Sequence, residues 1–554
     1  MKPTGNRGLE QPWVSRRSPV YSTHGMVACS QPLAAQAGLK ILDAGGNAAD
    51  AAVAVAAALN VTQPSSTGLG GDMFCLYFDQ TTKQVRGLNA SGRCPKGLSI
   101  PVFESLGYSE TNRPPSTSPL FITVPGAAAG WCDTIDLFGN KTLTLSEILA
   151  PAIRLAEDGY PVAEILADSW ARSENLIKNA SPNGGEMLLN GAAPKEGEIM
   201  KMPYLAQTFR DLAANGKTGF YEGRIGEEIV KVITNLGGNM TMEDLKDHVN
   251  TQDTVISTNY RGVDVYEMPP NGQGITALLA LNILEGFDLS SLEHNSAQHL
   301  HYVIESLRLA FADTRYFVAD PEFVSIPVEG LLSKEYAETR RRLINPDTAI
   351  PSIEHGSPPN TACTVYFCVV DGQGNACSFI NSNYQGFGTC IIPYHCGFTL
   401  QNRGANFSLD PNSANSLQPG KRPYHTIIPG MAVKDGELYC PFGVMGGFMQ
   451  PQGHLQVISN MVDFNMNPQE ALDAARIQIV GGDSAGRIQL EEGITDEVRQ
   501  KLLSMGHNNP YILSGWDRIE FGMGQIIRRN PATGVLCAGS DPRSDGHAVP
   551  LVKS

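Results

Sequence analysis

Thr364 heads a run, Thr364-Val-Tyr-Phe-Cys-Val-Val-Asp371, that is largely β-branched or aromatic and contains no Gly or Pro before Asp371. Asp371-Gly-Gln-Gly-Asn375 then supplies turn chemistry, and a second apolar run covers residues 376–380. The local expectation is a hairpin with Thr364 at the head of its first strand. A threonine hydroxyl is a weak nucleophile at neutral pH and attacks a carbonyl only with a base beside it. Threonine is also common in strands for purely structural reasons, so Thr364 needs chemical company before it means anything. Gly446-Gly447, directly after the strand-like residues 442–445, offers some. Two adjacent glycines can present two backbone N–H groups with no side chain in the way, which is what a tetrahedral oxyanion requires. Two other arrangements carry less. Gly68-Leu-Gly70-Gly71 precedes a strand and lacks a lysine, which argues against a phosphate loop. His299 and His301 stand two apart in a helical pattern and so face different directions, against a metal pair.

The elements that must position these residues are partly legible. Met26-Val-Ala-Cys29 reads as a strand fragment followed by an alanine-rich helix after Gln31, with Gly45-Gly46 at its C-terminal end and a second helix opening at Asn47 to Asp50. Residues 73–78 read as a strand after the glycine run, and Val124-Pro-Gly126 as a turn into a helix. Thr144-x-x-Glu147 is a capping box for a helix closed by Gly159, which Pro151 should kink or split. Residues 173–250 are helical and polar, with breaks at Gly184 and Gly237, and are expected to be scaffold. Pro269-Pro-Asn-Gly-Gln-Gly274 precedes a helix over 275–284. Val303, Leu307, Ala310 and Phe311 mark an amphipathic helix over 299–317. Residues 319–359 read as loop-rich, as suits a segment that exposes a scissile bond and then moves away.

Composition narrows the class. The 554 residues carry 41 Lys plus Arg against 56 Asp plus Glu, a formal charge of −15, which argues against nucleic acid or an anionic membrane as partner. Length alone would allow about three to four domains. Eleven scattered cysteines include no C-x-x-C pair, so neither a zinc ribbon nor a disulfide framework is indicated and a reducing compartment is expected. The start lacks the apolar stretch of a secretory signal, and the apolar segment 48–61 is too short for a bilayer span and contains Asp50. The expected location is therefore cytoplasmic. The six N-x-S/T sequons, at Asn60, Asn89, Asn140, Asn179, Asn239 and Asn406, are then expected to be unused.

Several stretches match one family in order along the chain: Glu305 to Asp313, Thr361-Ala-Cys-Thr364 onward to Asp371, residues 402–408, Gly420-Lys-Arg-Pro423, Met445-Gly446-Gly447 and Ser540-Asp-Pro-Arg-Ser544. Over its whole length the chain resembles the γ-glutamyltranspeptidase (glutathione hydrolase) family. The resemblance implies the four-layer αββα sandwich of N-terminal nucleophile hydrolases, an α/β (α+β) fold. It implies self-cleavage between Cys363 and Thr364, into a large subunit (1–363) and a small one (364–554) that form one compact body. Cleavage would free the α-amine of Thr364, whose pKa near 8 suits it as the missing base. No metal or organic cofactor is implied. The expected partners are a small-molecule amide substrate and the two subunits of one precursor, with a homo-oligomer of that heterodimer left open.

The resemblance also assigns roles residue by residue. Gly446 and Gly447 take the oxyanion. Ser382 stands where relatives have a second threonine that orients the nucleophile, and Asn383 is a weaker substrate contact because Tyr384 takes the matching place. Relatives hold the substrate carboxylate with an arginine where this chain has Ser91, so Arg93, two positions on, inherits that role only if the loop brings it in. Where γ-glutamyl binders have a Gln or Glu and an Asp for the α-ammonium, this chain has Arg403 and Asn406. The paired serines for the α-carboxylate become His425 and Thr426, and the spacer between Asn406 and Lys421 is short for a lid. These departures point to the branch of acylases and oxamate-type amidohydrolases. Hydrolysis or transfer of γ-glutamyl groups from glutathione-like amides is the leading expectation. An amidohydrolase for a glutaryl- or oxamate-like amide is its nearest rival, and an unprocessed binding homologue comes third.

Overall fold

The structure is a computed structural model in which residues 15, 17–353 and 363–553 are described, Cys363 by its backbone alone. The hairpin forms as the local pattern predicts: Cys363–Val370 pairs antiparallel with Ala376–Tyr384, Val370 opposite Ala376. Asp371 organises the turn, accepting the amides of Gln373 and Asn375 on Oδ1 and the Asn375 side chain on Oδ2. The same carboxylate accepts the amide of Ala48, the first residue of helix Ala48–Thr62. A negative charge at a helix N-terminus is favourable, so the turn also fixes that helix on the sheet.

The hairpin is the centre of an antiparallel six-stranded sheet, whose order is His547–Pro550, Met26–Cys29, Cys363–Val370, Ala376–Tyr384, Asp72–Asp79 and Gln84–Ala90. A second antiparallel sheet has seven strands, in the order Val20–Ser22, Leu536–Ser540, Met523–Arg529, Glu437–Met445, Gly430–Lys434, Val263–Glu267 and Ile256–Tyr260. The sheets stack through Cys363–Val370 against Glu437–Met445 and Met523–Arg529. Helices Pro32–Asp43, Ala48–Thr62 and Ala127–Phe138 cover the outer face of the first sheet, and Gly274–Leu284, Met449–Val462 and Pro468–Asp473 that of the second. This is the αββα sandwich. Strands from both sides of Thr364 contribute to both sheets.

Burial explains the composition of the covering helices. Every residue of Ala48–Thr62 and of Gly274–Leu284 is buried, as expected of helices that are apolar all round and sandwiched between other elements. The motif Ser540 to Ser544 belongs to a buried ion network. Asp541 pairs with Arg476 and Arg543, and Glu491 with Arg518 and Arg543. Burial raises the Asp541 pKa, but Arg476 and Arg543 outweigh it and hold the carboxyl below the ordinary carboxylate range.

Some expectations need correction. Helix Leu145–Asp158 starts at the Thr144 capping box but runs through Pro151 without being split. Residues 319–353 are not simply loop, because Val328–Leu332 and Lys334–Arg341 are helical. Residues 354–362, including Thr361, and most of residues 1–16 lie outside the described residues. His299 and His301 part company as predicted, His301 Nδ1 lying 2.8 Å from His507 Nε2. The ten described cysteines are buried and unbridged. Among the described residues, no helix is long and apolar enough to cross a membrane.

Candidate active site

The strand pairing is irregular where the chemistry is expected. Val365 lies opposite Asn381 and Cys363 opposite Tyr384, so Thr364 alone faces both Ser382 and Asn383. Such a bulge re-aims side chains. Here it brings Thr364 Oγ1 to 3.1 Å from Ser382 Oγ, with Thr364 and Ser382 almost wholly buried. Ser382 Oγ also receives the Tyr384 amide at 2.9 Å and Arg403 Nη2 at 3.1 Å. In the contact between the two hydroxyls either oxygen can be the donor. Gln450 Nε2 lies 3.5 Å from Thr364 Oγ1. Ser382 is also in register with Asp72 on the other neighbouring strand, and the glycine run before Asp72 permits that approach. A Cβ on Gly71 would fall 2.3 Å from the Ser382 carbonyl oxygen.

Arg403 is the cation of the site. It is fully buried, with Nη1 donating to Thr426 Oγ1 at 2.7 Å and Nη2 to Ser382. Its guanidinium lies 4.5 Å from the centre of the Tyr384 ring. Burial pushes its pKa down to about 10, with Asp72 opposing, so it stays charged at neutral pH. Its Nε has no hydrogen-bond partner among the described residues. The Tyr384 hydroxyl donates to Asn406 Oδ1, and Asn406 Nδ2 to the Tyr424 carbonyl at 3.0 Å. Asn406 therefore reaches the cluster through Tyr384.

Asp72, which the sequence did not single out, balances this charge. Its Oδ1 accepts Gly92 N at 2.8 Å and Gln401 Nε2 at 3.0 Å, and its Oδ2 lies 3.0 Å from His425 Nε2 and 3.8 Å from Arg403 Nε. Burial would raise its pKa, but His425 and Arg403 outweigh burial and keep it ionised. His425 is pushed down to about 4 by burial and by Arg403 and is neutral at pH 7. An ionised carboxylate only accepts, so His425 Nε2 carries the proton and Nδ1 receives Ile427 N at 3.4 Å.

The glycine pair occupies the turn between strand Glu437–Met445 and helix Met449–Val462. Gly446 has φ 135° and Gly447 φ 59°, a left-handed backbone that favours glycine. Gly446 lines the same cavity as Thr364. Gln273, to which the sequence reading of the run Pro269 to Gly274 gives no role, holds this turn. Its buried Nε2 donates to the Gly447 carbonyl at 2.9 Å and the Thr426 carbonyl at 2.6 Å, while Oε1 accepts the Tyr424 hydroxyl at 3.2 Å. The structure thus gathers Thr364, Ser382, Arg403, Thr426, His425, Asn406 and the Gly446-Gly447 turn. Two predicted contacts are not brought in. Arg93 is drawn to Glu322 at 2.7 Å and Asp320 at 3.5 Å, two carboxylates that satisfy it away from Thr364. Asn383 points to the other face of its strand, with Nδ2 3.2 Å from Thr399 Oγ1.

Comparison with known proteins decides the family. The gamma-glutamyltranspeptidase family profile matches residues 34–551. The chain belongs to this family. It is similar to the glutathione hydrolase-like YwrD proenzyme of Bacillus subtilis (strain 168), 38% identical over 96% of this chain and 99% of that one. It is also similar to the acylase ACY 1 proenzyme of Pseudomonas sp. (strain V22), 33% identical over 97% of this chain and 95% of that one. Among solved structures, a cephalosporin acylase from Bacillus halodurans superposes with a TM-score of 0.90 at 43% identity, covering 98% of each chain. This family member is therefore an amidohydrolase or acylase of the N-terminal nucleophile type. The one sequence signal for Asp72 was the glycine run before it; Gln273 had none.

Proposed function

We propose that the chain is a self-processing threonine amidohydrolase whose acyl substrate carries a carboxylate, in the manner of a glutaryl amide. Attack of Thr364 Oγ1 on the Cys363 carbonyl breaks the Cys363–Thr364 amide and carries the upstream chain onto oxygen as an ester, which frees the Thr364 α-amine; hydrolysis of that ester then releases the Cys363 carboxylate and restores the Oγ1 hydroxyl. This amine, with a pKa near 8, then takes the Thr364 hydroxyl proton as Oγ1 attacks the substrate amide. The Gly446 and Gly447 N–H groups receive the oxyanion, the leaving amine takes the proton back, and water releases the acid. Ser382 orients Oγ1 throughout.

The observation that carries the acyl assignment is Arg403, buried between Ser382 and Thr426, whose Nε makes no hydrogen bond among the described residues and approaches Asp72 Oδ2 only to 3.8 Å. A buried donor left without an acceptor is costly, and a carboxylate on the acyl group fills the need. An α-ammonium finds the opposite. A cation about 4 Å from the guanidinium is disfavoured by about 4 kcal/mol at an effective dielectric near 20, before the Asp72 charge reduces the penalty. Asp72 itself has all its neighbours: Gly92, Gln401, His425 and Arg403 surround its two oxygens. The γ-glutamyl reading stands second, favoured by the glutathione hydrolase-like name of the 38% identical relative.

The test has two steps. Purified protein should run as two chains on a denaturing gel, the smaller beginning at Thr364, and Thr364→Ala should stay whole and inactive. A fully active single chain overturns the mechanism. Glutaryl anilide should then be hydrolysed with a higher kcat/KM than γ-glutamyl anilide or oxamate. Clear preference for γ-glutamyl anilide restores the second reading.

A further inference from the structure

Gln450 faces the nucleophile oxygen with a donor that no step of the proposed chemistry uses. It is the second residue of helix Met449–Val462 and is fully buried. Its Oε1 accepts the Ile428 amide at 2.9 Å. A backbone N–H can only donate, so this contact fixes which end of the side-chain amide is oxygen and turns the nitrogen the other way. That nitrogen lies 3.5 Å from Thr364 Oγ1. The Gln450 backbone N–H donates to the Gly447 carbonyl at 3.2 Å. One residue is thus bonded to the Gly446-Gly447 turn and aimed at the nucleophile.

Its placement matters because Oγ1 takes on negative charge twice in a turnover. In acylation the α-amine removes the hydroxyl proton while an Oγ1 electron pair forms the bond to the substrate carbonyl carbon. In deacylation water adds to the ester carbonyl and gives a proton to the α-amine. The carbon–Oγ1 bond then breaks with its pair going to Oγ1, which recovers the proton from the α-ammonium. Self-cleavage ends with the same departure of Oγ1, from the Cys363 ester. A hydrogen bond to a charged oxygen is roughly twice as strong as one between neutral groups, so an N–H on Oγ1 acts most at these steps. Catalytic hydrogen bonds are often long at rest and tighten as charge develops, and the 3.5 Å contact is of that kind. Ser382 Oγ, at 3.1 Å, can donate or accept, whereas the Gln450 nitrogen only donates.

We infer that Gln450 is a further catalytic residue, a fixed donor to Thr364 Oγ1 that stabilises the oxygen as it loses its proton and again as it leaves the ester. The inference rests on Thr364 being the nucleophile and on no particular acyl group.

Gln450→Glu separates this role from a structural one. Its carboxylate still accepts the Ile428 amide, so a residue that only braces that loop tolerates the change. Toward Oγ1, an ionised carboxylate has no proton to give and repels the developing charge, whereas a protonated one donates as the amide did. Burial raises the pKa of the new carboxyl, with Arg403 and the Thr364 α-ammonium opposing. The assay uses glutaryl or γ-glutamyl anilide, whichever the parent turns over faster. At about pH 8, kcat of Gln450→Glu should lie about 10- to 100-fold below the parent, the range for a hydrogen bond to a charged group. The ratio of variant to parent should close as the pH is lowered to about 5.5, although the parent itself slows as its α-amine is protonated. Gln450→Met, of similar volume and without a titrating group, should lose activity at a constant ratio. The rate of conversion to two chains, followed on denaturing gels, should repeat the pattern, with circular dichroism confirming that each variant is folded. Full turnover in either variant at about pH 8, or a Gln450→Glu deficit that is the same at both pH values, overturns the inference and leaves Thr364 as the nucleophile. A folded Gln450→Glu chain that stays whole at both pH values counts the same way. A parent that is fully active as a single chain overturns the Thr364 reading, and this inference with it.

Discussion

In the proposed function, Arg403 is the residue on which specificity turns. It donates to Ser382 and Thr426 and lies on the Tyr384 ring, so replacing it affects both charge and the orientation of Ser382. Arg403→Gln keeps a side-chain donor of similar reach but removes the cation. Loss of a buried charge-assisted contact costs about 2–5 kcal/mol, so kcat/KM for glutaryl anilide should fall by about 30-fold or more. The same variant should turn over γ-glutamyl anilide at least as well as the parent, because the repulsion of the α-ammonium is gone. Initial rates on the two anilides settle this, and a parallel loss on both would show that Arg403 only supports Ser382.

At the scale of elements, the proposed chemistry depends on the turn after strand Glu437–Met445 to hold the oxyanion. Gly447 has φ 59°, which a β-branched residue adopts only with strain, so Gly447→Val should twist the amide pair and lower kcat by about 10²-fold or more. Full turnover in that variant would place the oxyanion donors elsewhere. The turn is also braced by a residue that precedes Thr364 in the chain, since Gln273 donates to the carbonyls of Gly447 and Thr426. Gln273→Ala takes a donor from both carbonyls; the Gly447 carbonyl keeps the Gln450 amide, so the loss falls mainly on the Thr426 carbonyl, at about 1–3 kcal/mol. Its kcat should drop about tenfold or more while KM moves less, and Gln273→Glu, which cannot donate to both, should not rescue it. A purely structural role would instead lower the melting temperature with kcat intact in the folded fraction.

For the whole molecule, buried histidines set the response to acid. Burial holds His425 and His248 near pKa 4 and His299 and His507 near 3, against about 6.5 in an unfolded chain. Between those values the unfolded state binds more protons than the native one. The corresponding stability is complete above about pH 6.5 and is lost as the pH falls toward 4 and then 3. Urea midpoints should therefore decline steadily from neutral pH to about pH 4, and His299→Gln, remote from Thr364, should flatten part of the slope. A midpoint that holds constant over that range would contradict the buried neutral state of these rings.

What the sequence by itself determined is local. The largely β-branched and aromatic run before Asp371, the Thr144 capping box and the Gly446-Gly447 pair act over a few residues, and they form the strand, the helix start and the turn after a strand that their local patterns predict. The resemblance added the sandwich in which that strand lies. Contacts across hundreds of residues were decided only by the tertiary structure. Asp72 meets His425 and Arg403 because their strands and loops converge, and a buried charge persists only where such partners arrive together. Arg93 looked close to the substrate position along the chain, yet Asp320 and Glu322 claim it. Even Thr364 and Ser382 meet only through an irregular pairing. In a strand the direction of a side chain follows register, and one extra residue in the pairing turns it toward or away from its partner.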